Sequence, residues 1–566
     1  MNQEAVAERL EAIATLMELK GENPFKVKAF TGAARTIEGL EGDLPALVAA
    51  GGLRGIKGIG PALAEVITEL VTTGRSGVYD ELKAATPAGL IDLLEVPGLT
   101  PKKVKAIHEG LGVTTVGELE YACHENRLVS LSGFGPKTQE KIVAGLAMFK
   151  KNQGQRLYSE VIGPAEELVA AIAASPGVQR VAIVGDVRRR CEVVGGLELV
   201  VAGEGLTLDA GHLPGVAQVT EAGCRLDDGL AVTIHRVPPE AFPAALLMAT
   251  GSRDHVAALA ERAASQGLRL DTTGLWRGAE RIEADEEGIY RELGLSFIPP
   301  ERREAQHPIE RPVPVLVDEP DLQGVFHVHT TYSDGAASLE QMARAAQAMG
   351  FRYLGISDHS QAAVYAQGLT PDRIREQHGE IDRLNAELDG IRLLKGIEAD
   401  ILADGEIDYD PETLKTFDFV IASVHSRFGL DEAGMTERLV RAIRHPRVTM
   451  LGHMMGRLLL SREPYALDVE RVFREAAEHE VVIELNANPH RLDLDWRVMD
   501  RALELGVAIA INPDAHSVKG LADTRYGVGI ARKGGATPER VLNTRSLNDL
   551  LAYLARRRER AASMGQ

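Results

Sequence analysis

Short apolar runs that each end in a histidine or an acid constrain the second half of this sequence more than any other feature. "FHVHTTYSDG" begins at residue 326, and "FRYLGISDHS", "IRLLKGIEAD", "FDFVIASVHS", "RVTMLGHMMG" and "VAIAINPDAHS" follow it along the chain. Amphipathic stretches with helical spacing separate these runs. Strands that alternate with helices and end in reactive side chains predict a barrel-like α/β domain over residues 324–566, with its functional groups at one mouth.

These strand ends supply a set of candidate metal ligands. A lone histidine is usually an ordinary core or surface residue, but a whole series of ligand-type residues at strand ends indicates a metal site. The set comprises His327, His329, Asp334, His359, Glu398, His425, His453, Asp514 and His516. Mixed imidazole and carboxylate ligands suit Mn²⁺, Zn²⁺ or Fe²⁺ better than Mg²⁺. We therefore expect Mn²⁺ and/or Zn²⁺, up to three ions in all, with Mg²⁺ as the less suited alternative.

The order of these ligands, His-x-His first and Asp-x-His last, resembles the polymerase and histidinol phosphatase (PHP) family as it occurs fused to bacterial family X DNA polymerases. The resemblance covers about 320 to 560 and implies a distorted (β/α) barrel that hydrolyses phosphoesters with bound metal ions. Arg427, His490 and Arg491 lie in nearby loops as candidate contacts for phosphate or for a DNA strand. The alternative for these three is that they are ordinary polar loop residues.

A second pattern recurs three times in the first 150 residues. "LRGIKGIGPALAEVITEL", "LLEVPGLTPKKVKAIHEGL" and "LSGFGPKTQEKIVAGL" each join two short helices through a glycine-containing turn. They resemble helix-hairpin-helix units, in which backbone N–H groups at a helix start contact DNA phosphates without reading sequence. The predicted DNA-binding residues are Lys57, Gly58, Gly60, Gly98, Gly133, Gly135 and Lys137. A tight turn between packed helices is the alternative for any one unit.

Residues 1 to about 310 resemble the family X DNA polymerases. The hairpins, "GENPFKVKAFTGAARTIEGL" at 21–40, "AALLMATGS" at 244–252 and "LGLSFIPPERRE" at 293–304 occur in that family's order. The resemblance implies a multidomain chain with an α-helical helix-hairpin-helix region, an α/β nucleotidyltransferase-like core and the PHP barrel. The expected domains are 1–90 (helical, DNA-binding), 91–155 (fingers-like), 156–300 (palm and thumb), a proline-rich linker at 301–323, and 324–566 (PHP).

The polymerase site that this resemblance implies is altered at each acidic position. Gly196 and Glu198 stand at the family's Asp-x-Asp, Thr233 stands at its third aspartate, and Asp186 stands at its glycine-serine turn. One glutamate does not hold two cations, so we predict a degenerate polymerase site that includes Asp186, Arg189, Gly196, Glu198 and Thr233. The arginines at 188–190 are then expected to form a solvated basic turn, and "ARRRER" at 555–560 a solvated helix end. Val66 occupies the position of the lysine that gives some relatives lyase activity.

Composition limits the remaining function classes. The net charge of −19 argues against non-specific coating of nucleic acid, and three cysteines are too few for a disulfide framework. We expect a cytoplasmic monomer without membrane segments, whose partner is gapped, recessed or abasic duplex DNA. The resemblance implies a DNA-repair nuclease acting as a 3′–5′ exonuclease, abasic-site endonuclease or 3′-phosphatase. The alternatives are a Mn²⁺-dependent polymerase that uses Glu198 with Asp186, Glu192, Asp227 or Asp228, and a non-enzymatic DNA scaffold.

Overall fold

A computed structural model describes residues 1–40, 43–204 and 209–564 of the chain. These residues form two compact units, Met1–Gln153 and Gly154–Gln566. No helix among the described residues is both long and apolar enough to cross a membrane.

The first unit is helical and contains two hydrophobic cores. One core draws on residues from Val6 to Leu70, and the other on Leu19 and residues from Leu90 to Leu146. Its helices are α1 Gln3–Lys20, α2 Pro24–Glu38, α3 Leu44–Ala49, α4 Pro61–Thr73, α5 Gly77–Ala84, α6 Ala88–Leu94, α7 Pro101–Leu111, α8 Val116–His124 and α9 Pro136–Lys151. Proline at the first position of α4, α7 and α9 fits the helix start, where its missing N–H would have no partner.

The second unit begins with a five-stranded sheet in the order β2-β4-β7-β6-β5, followed by a three-stranded sheet, β10-β9-β8. The elements are β1 Arg156–Leu157, α10 Tyr158–Ala173, β2 Arg180–Val184, α11 Gly185–Arg188, β3 Val193–Val194, β4 Leu197–Ala202, β5 Val216–Val219, β6 Gly223–Leu226, β7 Ala231–Val237, α12 Phe242–Thr250, α13 Arg253–Ser265, β8 Leu268–Asp271, β9 Gly274–Arg277, β10 Glu280–Ile282 and α14 Glu286–Glu292. Along β4 the odd-numbered residues 197 and 199 are buried, whereas Glu198 is half-buried, so the sheet presents Glu198 on its more open face.

The second unit continues as a seven-stranded parallel sheet in sequence order, β11 to β17. Its elements are β11 Gly324–Val328, α15 Leu339–Ala348, β12 Tyr353–Ile356, α16 Pro371–Glu387, β13 Arg392–Asp400, α17 Pro411–Leu414, β14 Phe419–Ser423, α18 Glu432–Arg444, β15 Met450–Leu451, α19 Val469–Glu478, β16 Val482–Asn486, α20 Trp496–Glu504, β17 Ile509–Asn512, α21 Thr524–Lys533 and α22 Leu547–Met564. The sheet curls until the chain after β17 meets β11, where His329 N donates to Ala515 O at 2.9 Å. This nearly closed barrel confirms the predicted fold class of the C-terminal domain.

The barrel interior is apolar, and α22 covers one of its ends. Phe326, Phe419 and Met450 form one cluster with Leu550 and Leu554 of α22. The basic run at 555–560 is exposed at Arg556, Glu559 and Arg560, as predicted for a solvated helix end, but it also contacts the barrel. Arg557 donates to Val448 O at 2.7 Å, and its neighbours in the run pair with acids of the barrel. These charges satisfy carbonyl groups at the ends of neighbouring elements.

The arginine run 188–190 forms ion pairs within the protein, and the prediction of a solvated basic turn is wrong. Arg188 makes a two-point ion pair with Glu286 at 2.7 and 2.8 Å. Arg189 is buried and contacts Glu304 through Nε at 3.1 Å. Glu304 also accepts from Lys533 of the barrel domain, whose side chain is fully buried. These ion pairs join the polymerase-like core to the barrel.

Lys533 gives a first prediction, on stability. Lys533→Ala is expected to lower the free energy of unfolding of residues 154–566 by about 3 kcal/mol, because loss of the fully buried lysine leaves the mostly buried Glu304 with one cationic partner fewer. The loss falls at the low end of the usual range because Arg189 still pairs with Glu304. Urea denaturation followed by tryptophan fluorescence measures it, since Lys533 Nζ lies 4.7 Å from the ring centre of Trp496.

The matched control for this prediction is Lys415→Ala, which breaks an exposed pair with Glu412. Exposed pairs contribute about 0–1 kcal/mol, so the unfolding midpoint should hardly move. Equal midpoints for the Lys533 and Lys415 variants would contradict the structural role of Lys533.

Candidate metal centre

The nine candidate ligands of the barrel all lie at one mouth. Their ligand atoms fall into four overlapping groups, within each of which every atom lies within 4.8 Å of the others. The groups are His329–Asp334–His359–His516, His327–His453–Asp514, His327–His329–Glu398 and His359–Glu398–His425. Because these groups share residues, several positions that could hold a metal ion lie side by side.

Glu398 stands at the centre of the cluster. Its Oε1 lies 3.0 Å from His453 Nε2 and 3.1 Å from His425 Nε2, and its Oε2 lies 3.0 Å from His359 Nδ1. The carboxylate is buried at the end of β13, the longest barrel strand, and the surrounding histidines hold its pKa well below the usual value against the opposing effect of burial. One carboxylate therefore contacts three of the candidate imidazole ligands.

The outer side of the cluster is more accessible. Asp334 Oδ1 lies 3.4 Å from His516 Nε2, and the two side chains are 30% and 40% exposed. The rings of His329 and His516 stack with their centres 4.1 Å apart. The cluster is therefore open to solvent on the side of Asp334 and His516.

Local backbone geometry aims the ligands inward. His327 has φ +58°, His453 +44° and Asp514 +52°, a region that residues other than glycine seldom adopt. The register of β11 also shifts between Val325 and Val328. His327 and His329 do face the same cluster as predicted, but a bulge next to the strand end orients them, not regular strand alternation.

The donor set fits metal ions. Of the fourteen buried side-chain atoms in the described residues that make no hydrogen bond of acceptable geometry, six lie here. They are His327 Nε2, His329 Nδ1 and Nε2, His359 Nδ1, His453 Nδ1 and Glu398 Oε2. Burial alone would lower the pKa of His359, but Glu398 and Asp334 raise it to about 10. Unsatisfied buried imidazole nitrogens around carboxylates are the arrangement that a divalent cation satisfies.

Sequence reasoning missed the residues that orient these ligands. Glu484 Oε1 lies 2.5 Å from His327 Nδ1, and Asp400 Oδ1 lies 2.7 Å from His425 Nδ1. Asn486 donates to Asp514 Oδ2 at 3.0 Å. A carboxylate that accepts from one imidazole nitrogen fixes the orientation of the ring and leaves the other nitrogen available to bind a metal ion. Their position within β16 or at the end of β13 was the only signal for them in the sequence.

Asp358 has a different role from its neighbour His359. It is fully buried and accepts hydrogen bonds from Thr330 N at 2.8 Å and Ser333 Oγ at 2.5 Å. These residues belong to the loop that carries Asp334, so Asp358 positions that loop and makes none of the ligand contacts.

The three candidate phosphate contacts, Arg427, His490 and Arg491, differ in their distance from the cluster and in their exposure. Arg491 Nε lies 3.6 Å from Asp514 Oδ2, next to the cluster. Arg427 and His490 are exposed loop residues, which fits the ordinary-loop alternative.

In the first unit the three hairpin turns share one geometry. Gly58, Gly98 and Gly133 have φ values of +94°, +88° and +85°. In each turn a buried apolar residue follows the glycine, and an extended N-cap residue then begins the helix. The left-handed glycine therefore turns the chain so that the helix start faces solvent.

The turns differ at the N-cap. A Cβ added to Gly60 or Gly135 would meet nothing within 4 Å, whereas Thr100 occupies that place in the middle turn. Lys103 Nζ in the middle turn donates to Gly98 O at 2.7 Å. Lys57 and Lys137 are exposed beside the two open turns. The outer turns thus have open space over the helix start, and the middle one has a side chain there.

The altered polymerase strands bring few acids together. Glu198 on β4 is in register with Thr233 on β7, and its Oε2 contacts His235 Nε2 at 3.1 Å. Asp186 is paired with Arg189 at 2.5 Å, so its negative charge is partly neutralised. Within the described residues, the groups of three or more potential ligands all lie in the barrel.

Glu192, a member of the alternative acid set for polymerase activity, lies away from Glu198. Glu192 is buried against the barrel, where Trp496 Nε1 donates to it at 3.0 Å and Arg497 at 2.6 Å. It therefore stabilises the contact between core and barrel.

Comparisons with known proteins agree with this architecture. Family models match residues 1–76 (helix-hairpin-helix domain), 90–148 (SAM-like helix-hairpin-helix tandem), 245–304 (DNA polymerase beta thumb) and 326–488 (PHP domain). A "Probable phosphatase" of Photobacterium profundum is 31% identical over 252 residues, 42% of this chain and 95% of that protein. The "DNA polymerase/3'-5' exonuclease PolX" of Bacillus subtilis is 36% identical over 571 residues, 98% of this chain and 100% of that protein. The chain therefore belongs to the PolX family of DNA polymerases, in which helix-hairpin-helix and polymerase-type domains precede a C-terminal PHP domain.

Proposed function

We propose that the barrel hydrolyses phosphoesters at DNA 3′ ends with the help of divalent metal ions. The observation that carries this proposal is the cluster around Glu398, in which nine ligand-type side chains converge and buried imidazole nitrogens lack partners. The names of the Bacillus and Photobacterium relatives, an exonuclease and a probable phosphatase, support hydrolysis at a phosphorus centre.

The chain's own residues prepare this chemistry. His327, His453 and Asp514 would hold one ion, and the groups around Asp334 and Glu398 would hold the others. When bound, Mn²⁺ or Zn²⁺ supplies Lewis acidity and lowers the pKa of water, which phosphoester hydrolysis needs. Glu484 and Asp400 keep the imidazoles in place, and Arg491 adds positive charge beside Asp514 for a phosphate oxygen.

The test combines metal analysis with a nuclease assay. The purified chain is expected to contain Mn²⁺ or Zn²⁺ and to shorten recessed, gapped or abasic duplexes. Chelation should abolish hydrolysis, and addition of Mn²⁺ should restore it. Hydrolysis that survives full metal removal would overturn the proposal. The same assay separates exonuclease, abasic-site endonuclease and 3′-phosphatase activities, and light scattering tests the expected monomer.

Template-directed synthesis is the second candidate function. The name of the Bacillus relative and the glutamate retained at position 198 favour it. The commitment of Arg188, Arg189 and Glu192 to internal ion pairs weighs against it, as does the absence of a ligand group around Glu198 in the described part of the core.

We propose that the open hairpin turns bind the DNA backbone. Gly60→Thr with Gly135→Thr should weaken binding about tenfold whatever the sequence, because a side chain would fill the space over the helix start. Both positions have negative φ and no neighbour within 4 Å, so the turns should still fold, with threonine as N-cap as at Thr100. The slope of log K against log salt should fall by about one for each phosphate that the variant no longer binds.

The matched control for the hairpins is Gly117→Thr, an exposed position near the start of α8 that also has no close neighbour. Fluorescence anisotropy with a short gapped duplex measures all variants. A double variant that binds as tightly as the parent would show that the turns are purely structural.

A further inference from the structure

An exposed aromatic residue without a role in the proposed reaction lies at the rim of the cluster of candidate ligands. Tyr365 lies in a 3₁₀ turn, Val364–Ala366, and is 69% exposed. Its ring centre lies 5.9 Å from that of His359 and 6.3 Å from that of His425, with both contacts edge-on. Tyr365 therefore stands directly over candidate ligands.

In this turn the small side chains are buried and the large ones are exposed, the reverse of the usual arrangement. Ala363 and Ala366 are buried, whereas the larger Val364 and Tyr365 are 81% and 69% exposed. Burial of the larger side chains would gain more hydrophobic free energy than burial of alanine. The exposed pair at the mouth of a reactive cluster therefore indicates a contact with something that enters it.

The segment that presents Tyr365 is held at both ends. Gln361 N donates to Tyr409 Oη at 3.1 Å, Ala362 N donates to Asp408 Oδ2 at 2.7 Å, and Leu369 N donates to His359 O at 2.9 Å. A Cβ on Gly368 would lie 1.8 Å from Ser360 O, so the loop closes tightly on itself. A ring on so restrained a loop is pre-organised, and little conformational entropy is lost when it is covered.

Resting on the proposed hydrolysis, we propose that Tyr365 stacks on the base of the 3′-terminal nucleotide and positions its phosphodiester over the cluster. Aromatic side chains stack on bases of any sequence, and Arg491 beside Asp514 supplies the positive charge that the adjoining backbone needs. The substrate class is then a single-stranded or frayed 3′ end with an intact terminal base. Tyr365 is a positioning residue and not a metal ligand.

The test compares strands that end in a normal nucleotide or in a base-free tetrahydrofuran residue. The parent chain should cleave the base-bearing end with a kcat/KM about tenfold higher, in line with the contribution of one stacked base. Tyr365→Ala should bring this ratio close to one, and Tyr365→Phe should keep it. A ratio unchanged by Tyr365→Ala, or an equal loss on both strands, would overturn the proposal while leaving hydrolysis itself established.

A binding measurement gives an independent readout. A strand that ends in 2-aminopurine after a phosphorothioate linkage should lose fluorescence on binding to the parent chain and to Tyr365→Phe, but not to Tyr365→Ala. Equal quenching by all three chains would also overturn the stacking proposal. A parent chain that hydrolyses neither strand would instead contradict the proposed function itself.

Discussion

His327→Ala and Asp514→Ala are each expected to lower phosphoester hydrolysis by about a thousandfold, the equivalent of several kcal/mol of metal-ion stabilisation. Both residues belong to one ligand group, and His327 belongs to a second. The affinity for DNA should hardly change, because the hairpins belong to the other compact unit. Cleavage of a recessed duplex, metal content and anisotropy measure the three quantities.

His479→Ala is the matched control for these ligand variants. This imidazole follows α19, outside the cluster, and lies 3.8 Å from Glu475. Its loss should leave hydrolysis within about twofold of the parent, as expected for a surface substitution. Hydrolysis that persists in a His327 or Asp514 variant with a metal-depleted barrel would contradict the assignment of the cluster.

The second large effect concerns DNA synthesis. With Mg²⁺, primer extension by the unmodified chain should be at least about a thousandfold slower than hydrolysis, because Gly196, Glu198 and Thr233 do not hold two ions. Restoration of aspartate at 196, 198 and 233, with serine at 186, should raise extension. Since Glu198 and Thr233 are in register, the Thr233→Asp change would place a second carboxylate beside the first.

The size of the gain in primer extension shows whether only the acidic residues of the polymerase site have changed or whether their surroundings have changed as well. A large gain would identify a decayed site whose surroundings remain competent. A small gain would reflect the ion pairs of Arg188 and Arg189. It would also reflect Met248, Ala249 and Val256, which stand where the resemblance to family X polymerases implies an aromatic pair and an asparagine. Robust extension by the unmodified chain, abolished in Glu198→Ala, would instead favour the alternative acid set. Extension with Mn²⁺ alone would be intermediate, since Mn²⁺ accepts mixed ligands more readily.

Much of the candidate site follows from the sequence because of how parallel strands are arranged. Strands of a barrel end at the same face, so ligand-type residues at strand ends must converge even when they are far apart in the chain. His327 and His516 illustrate this, since both belong to ligand groups of one mouth. The hairpin turns were also predictable, because glycine and proline act on the local backbone.

Only the tertiary structure decided the partners of the remaining charges. Glu484 looks like any acid in an apolar strand until the barrel brings it to His327, 157 positions away. Arg189 looks like a solvated turn residue until Lys533, 344 positions later, donates to its carbonyl oxygen. Ion pairs depend on which surfaces meet, and local sequence does not specify that. The sequence by itself thus determined the domain types and the candidate ligands at the barrel mouth, whereas folding decided which charges stabilise the contact between core and barrel.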